Sequence, residues 1–234
     1  MAQPLSVFLL IGQSNMAGRG RLAEVPPLRH PRVFMFRDGA WRAAEEPLHT
    51  DKPSMAGVGL GMSFAVELTD GDPAARIGLV ACAMGGTALS QWMPGAELYV
   101  RAVATARQAL TDGAVLRGIL WHQGEGDTDQ AELAQSYAAR FHEFAAQLRA
   151  DLGAERVPLV VGELGEFLAE RTDDAQHFSE VNRQLGELAA TLPLCACVSA
   201  AGLQDHGDRL HFGAAAMREF GRRYAAAYLT LCRA

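Results

Sequence analysis

Lysine is almost missing from this chain: Lys52 is the sole one, and every other basic residue is an arginine. Acidic residues outnumber basic ones by 27 to 21, giving a formal net charge of −6, and the arginines are scattered without a stripe or cluster. That distribution argues against a nucleic-acid partner. Cysteine is also scarce, with four residues at 82, 195, 197 and 232 and no Cys-x-x-Cys. Cys195 and Cys197 lie two apart in an apolar run and share one face of a strand. All four read as buried free thiols, which suits a reducing compartment. No apolar run approaches the roughly 18 residues needed to span a bilayer. The opening LSVFLLIG lacks the basic region of a secretory signal and reads instead as a buried first strand. The expectation is a cytoplasmic protein with no membrane partner.

What remains is an ordinary globular composition. With 234 residues, 49% of them hydrophobic, the chain supports one well-buried core, and residues 1–234 are expected to form a single domain. Five short apolar runs stand out: 5–11 (LSVFLLI), 76–82 (RIGLVAC), 115–121 (VLRGILW), 157–162 (VPLVVG) and 194–199 (LCACVS). Near-continuous apolar character over so few residues predicts strands buried on both faces, as in a parallel sheet. Helical patterns fall at 59–69, 97–110, 130–152, 174–191 and 213–231, between and beyond the runs. The alternation predicts an α/β fold, a three-layer α/β/α sandwich around a mainly parallel sheet of about five strands. Residues 20–57 break the rhythm. They hold five of the ten prolines, with RVFMF as a short edge strand, and read as an irregular insert that walls or covers a site.

In open α/β sheets, ligands bind beyond the carboxyl ends of the strands. After the first run comes Gln13-Ser14-Asn15; after the second, Gly85-Gly86-Thr87; after the third, His122-Gln123-Gly124-Glu125-Gly126-Asp127. The last leads to Asp205-His206-Gly207-Asp208-Arg209-Leu210-His211. Ser14 belongs to no phosphate loop, since Gly-Lys-Ser and Gly-Lys-Thr are absent. Nor does Gly18-x-Gly20 directly follow a strand as a dinucleotide fingerprint requires. Gly12-Gln13-Ser14-Asn15-Met16 also lacks the second glycine of a Gly-x-Ser-x-Gly elbow. A bare serine there is ordinarily a helix cap.

The pair Asp208/His211 raises it above that. Positions i and i+3 of a tight turn face each other, so the carboxylate accepts from one imidazole nitrogen and leaves the other as a general base. Acyl transfer further needs donors for a developing oxyanion. The candidates are the Ser14 N–H, the Gly86 N–H and the Gln123 side-chain amide.

GQSNMAG, GGT, WHQGEGD and DRLHF, in this order over residues 12–212, resemble the SGNH-type hydrolases. More narrowly they are similar to the branch of sialate O-acetylesterases and the acetylxylan esterases of carbohydrate esterase family six. The resemblance implies a serine esterase that removes O-acetyl groups from carbohydrates through an acetyl-enzyme. Ser14 would be the nucleophile, His211 the base, and Gln123 the side-chain oxyanion donor. Either Asp208 or Glu125 would orient His211, the short spacing favouring Asp208. The implied partner is a small or oligosaccharide acetyl ester, and no cofactor or metal is implied. Gln13, Trp92 and Trp41 are candidate substrate contacts, the tryptophans as apolar walls for a sugar ring. Two other classes stay open. One is a metal-dependent hydrolase built from His122, Glu125, Asp127, Asp205, His206 and His211, although no His-Glu-x-x-His is present. The other is a non-catalytic carbohydrate-binding module.

Overall fold

The structure, a computed structural model, describes residues 3–171 and 174–233. Strand β1 (Ser6–Gly12) sets the architecture, with every residue after Ser6 buried. Val7, Leu9 and Ile11 enter one apolar cluster, while Phe8 and Leu10 enter another. Side chains alternate across a strand, so a strand with two buried faces must lie between two layers.

The sheet has seven strands where about five were expected. They are β1, β2 (Val33–Arg37), β3 (Ala40–Ala43), β4 (Ile77–Ala81), β5 (Val115–His122), β6 (Leu159–Gly162) and β7 (Cys195–Val198). The order is β3-β2-β4-β1-β5-β6-β7, parallel throughout except for the β2–β3 pair. The two additional strands both come from the insert. RVFMF is not the edge: β3 pairs outside it through a two-residue Asp38-Gly39 turn with positive φ at both positions, 51° and 73°. Such Asp-Gly turns match the right-handed twist of a hairpin.

The helices are α1 (Ser14–Ala17), α2 (Leu60–Gly71), α3 (Glu97–Ala109), α4 (Ala131–Gln135), α5 (Tyr137–Leu152), α6 (Phe178–Thr191) and α7 (Ala214–Arg233). Buried side chains of α2 and α7 join Phe8 and Leu10; those of α3, α5 and α6 join Val7, Leu9 and Ile11. The three-layer expectation therefore holds. The single helix expected over 130–152 is interrupted at Ser136, whose hydroxyl donates to the Glu132 carbonyl at 2.6 Å. A serine that competes for a helix carbonyl favours such a break. The next helix starts at Phe178 rather than 174, after Ala175 takes a left-handed φ of 63°. No helix among the described residues is long and apolar enough to cross a membrane.

All four cysteines are free, but Cys197 is half-buried and Cys232 exposed, contrary to the buried expectation. Cys195 and Cys197 do face one apolar cluster, and burial pushes both thiols up to about 12.

Candidate active site

The site assembles where β1, β4 and β5 end. Gly12 is required at the first of these ends. Its φ is +133°, and a Cβ there would lie 2.1 Å from the His122 carbonyl oxygen. The missing side chain lets β1 and β5 run tightly together up to the turn. One-turn helix α1 then begins at Ser14, with the Met16 and Ala17 N–H groups bonded back to the Gln13 carbonyl. The first N–H of a helix has no partner inside it, so the Ser14 N–H stays available beside its own hydroxyl.

Ser14 Oγ lies 3.0 Å from His211 Nε2, and His211 Nδ1 lies 2.6 Å from Asp208 Oδ2. The other carboxylate oxygen of Asp208 accepts the backbone N–H groups of Leu210 at 2.9 Å and His211 at 2.8 Å. Three donors thus fix one carboxylate, and the carboxylate fixes the ring. Burial lowers the His211 pKa below its ordinary value, with Asp208 pulling the other way. Burial alone would raise the Asp208 carboxyl, but the His211 backbone and ring N–H groups and the Leu210 N–H hold it below its ordinary value. A neutral imidazole between a serine and an ionised aspartate is the resting form of a general-base triad.

Glu125 stands elsewhere. Its Oε1 accepts Asn15 Nδ2 at 2.5 Å, and burial raises its pKa to about 6. Asn15 also donates to the Leu210 carbonyl at 3.0 Å and accepts the Phe212 N–H at 3.1 Å. This wholly buried amide ties the Ser14 turn to the loop after β5 and to the His211 loop. His122, whose pKa burial lowers to about 3, is neutral and comes no nearer than 3.9 Å to Glu125.

Gln123 departs from the expected role. Its side chain is fully buried. Its amide nitrogen donates to Asp127 Oδ2 at 2.7 Å and to the Thr87 carbonyl at 3.0 Å, with the Gln13 oxygen 3.3 Å away. Its oxygen accepts the Tyr137 hydroxyl at 3.0 Å. Both amide hydrogens are engaged, so the group braces two loops instead of presenting a donor to substrate. Gln13, next to Ser14, accepts the Gly126 N–H at 3.1 Å.

Of the glycine pair, Gly85 gives its N–H to Asp51 Oδ2 at 2.8 Å. Gly86 is exposed with φ +79°, and its N–H has no protein acceptor among the described residues. Asp51 is itself paired with Arg19 at 2.6 Å, both side chains 3% exposed or less. A Cβ on Gly85 would come 2.5 Å from Arg19 Nη2 and 3.4 Å from Ser14 Cβ. This buried ion pair, which sequence reasoning did not single out, backs the Gly85-Gly86 turn beside Ser14. It also defines what the insert does: 49–57 walls the site, while the β2–β3 hairpin extends the sheet.

Neither tryptophan walls the site. Trp92 is fully buried, donates to Thr87 Oγ1 at 3.0 Å and packs edge-on against Trp121. Trp41 covers Gly78 and Leu5 at the amino ends of β4 and β1, the opposite end from Ser14. The metal-ligand set also separates. Asp127 is bonded to Gln123, the Leu89 N–H and Arg140. Among the described residues the sole convergent group of three is His206, Asp208 and His211, which is the hydrogen-bonded Asp208/His211 pair plus one further ring.

The fold is a three-layer α/β fold shared with a putative GDSL-like lipase from Parabacteroides merdae, at 12% identity and a TM-score of 0.62 over 97% of each chain. The chain belongs to the family described as carbohydrate esterase, sialic acid-specific acetylesterase, which it matches over residues 4–230, and is a carboxylic ester hydrolase. A probable carbohydrate esterase of Arabidopsis thaliana, At4g34215, is 33% identical over 249 residues, covering 97% of this chain and 91% of that protein. The X-ray structure of that Arabidopsis protein matches with a TM-score of 0.87 at 31% identity, over 97% of this chain and 99% of that one. NanS shares the fold at 20% identity, with a TM-score of 0.80 over 98% of each chain. So does a carbohydrate acetylesterase from Xanthomonas citri, at 22% identity and a TM-score of 0.66, over 95% of this chain and 55% of that one.

Proposed function

We propose that this chain removes O-acetyl groups from carbohydrates with Ser14 as nucleophile, His211 as general base and acid, and Asp208 as the group that orients His211. The observation that carries the reading is the unbroken relay from Ser14 Oγ through the His211 ring to Asp208, at 3.0 and 2.6 Å. The nucleophile's proton passes to His211 Nε2 as Oγ forms a bond to the acetyl carbon. The carbonyl oxygen, now negative, meets the Ser14 and Gly86 N–H groups, both without a protein acceptor among the described residues. Collapse breaks the bond to the sugar oxygen, which takes the proton from His211. Water then attacks the acetyl-Ser14 ester by the same route, with His211 again removing the proton, and acetate leaves. Gln123 enters as the brace that holds the loops after β4 and β5 in register.

The choice of acetyl esters of sugars rests on family membership together with the acetylesterases among the structural neighbours. The test is acetate release from acetylated xylo-oligosaccharides, 9-O-acetyl sialic acid, acetylated glucose and cephalosporin C, by wild type and by Ser14→Ala. Turnover of at least one of these esters by wild type, lost in Ser14→Ala with an unchanged melting curve, is expected. Retained turnover in the alanine variant would sink the assignment.

A further inference from the structure

His211 protonates the departing sugar oxygen, so the alcohol half of the ester must lie on the His211 side of Ser14. An open pocket of about 250 Å³ is lined by Arg19–Arg21, Ser54–Ala56 and His206, and it borders the catalytic groups through His206 and Arg19. The His206 ring lies parallel to the His211 ring, with centroids 5.8 Å apart and planes within 3°. Arg19 lies against Gly85 on the other flank. The two turns that form the walls are pinned together by the Gly20–Val58 backbone pair, at 3.1 and 2.7 Å, and by the Gly57 N–H on the Gly18 carbonyl at 3.2 Å. The pocket is thus a held shape, assembled from the segment after the nucleophile and the last part of the insert.

We propose that this pocket is the leaving-group subsite and that it accepts one monosaccharide ring. The inference rests on the serine-esterase reading above. Its volume falls below the roughly 300–1,000 Å³ of sites for drug-sized ligands, which suits a single ring and not several. Its chemistry is amphipathic in the way a sugar is. Arg21 supplies guanidinium donors, Ser54 a hydroxyl, and Met55, a large apolar side chain left 49% exposed, a surface for the ring's C–H face. Among the described residues Arg21 is paired only with Glu24, at 3.2 Å, both side chains well exposed. Such a surface pair contributes about 0–1 kcal/mol, so the guanidinium exchanges easily onto a ligand hydroxyl.

The test compares two acetyl esters that differ only in the alcohol: 6-O-acetylglucose, whose ring fills the pocket, and methyl acetate, whose leaving group is too small to reach its walls. The readout is the ratio of their kcat/KM values, by acetate release. Arg21→Ala is expected to lower that ratio about tenfold, chiefly through KM for the sugar ester. Met55→Trp, which fills the cavity, is expected to lower it further, and melting curves for both variants check folding. An unchanged ratio in both variants, while Ser14→Ala abolishes both hydrolyses, would overturn the subsite and leave the triad standing. Hydrolysis of both esters by Ser14→Ala would overturn the triad and the subsite together.

Discussion

Replacing Asp208 with asparagine separates the two carboxylates that the sequence left in competition, and the geometry sets the size of the effect. Asp208 Oδ1 accepts two backbone N–H groups, from Leu210 at 2.9 Å and His211 at 2.8 Å. In Asp208→Asn those two donors demand an oxygen at that position, so the amide nitrogen turns toward His211 Nδ1, which now faces a donor. The ring must carry its proton on Nε2 instead, pointing at Ser14 Oγ, and the general base is lost without loss of structure. In serine-triad enzymes a wrong tautomer of this kind costs about 10⁴ in kcat. Asp208 is about one-third exposed, where solvent offers the amide some freedom to turn back, so about 10³ is expected, near 4 kcal/mol at 1.36 kcal/mol per decade. Glu125→Gln, in contrast, keeps an oxygen for Asn15 Nδ2 and is expected to stay within about fivefold of wild type. Steady-state hydrolysis of 4-nitrophenyl acetate by the two variants, with circular dichroism to confirm folding, provides the assay. A Glu125→Gln enzyme crippled by 10³ beside a nearly normal Asp208→Asn enzyme would refute the assignment.

Three further outcomes follow from the same contacts. Because burial lowers the His211 pKa, and the base works when neutral, the acid limb of kcat/KM is expected below pH 6.5; an inflection above that value counts against the geometry. Glu125 is an acid whose folded pKa is raised from 4.5 to about 6, so its contribution to stability is present below 4.5 and lost as pH rises through about 6. Urea titrations across pH 4–7.5 should therefore show Glu125→Gln gaining on wild type by about 2 kcal/mol as pH rises, and parallel curves would contradict this. Asp51→Ala leaves Arg19 buried without a partner and is expected to cost about 3–5 kcal/mol in unfolding free energy while freeing the Gly85 N–H; a loss under 1 kcal/mol would show that the pair does not hold the site.

Much of this was legible from residue type and position. Runs such as LSVFLLI are buried on both faces because successive side chains enter two different layers, and the five of them mark all the parallel strands but β2. Asp208 and His211 meet because three residues of turn leave them little choice. The β2–β3 hairpin was half visible: RVFMF is apolar, but β3 is mostly exposed AWRA, and its signal lay in the Asp38-Gly39 turn rather than in hydropathy. Gln123 shows the limit of reasoning by residue type. An amide at that position fits an oxyanion donor in kind, but Asp127, 2.7 Å away, and the Thr87 carbonyl take its hydrogens. Trp92 and Trp41 look alike as exposed aromatic walls until packing places one in the core and the other at the far end of the strands. The members of the Arg19–Asp51 pair stand 32 residues apart with the β2–β3 hairpin between them, and no local pattern links them.

The most direct measurement is to inactivate the enzyme with a serine-directed phosphonate and locate the adduct by peptide mass spectrometry. One adduct on Ser14, formed in step with loss of acetate release and absent after Asp208→Asn has removed the base, is the expected result. Full inactivation with Ser14 unmodified, or full activity with Ser14 modified, would contradict the assignment of Ser14 as the nucleophile.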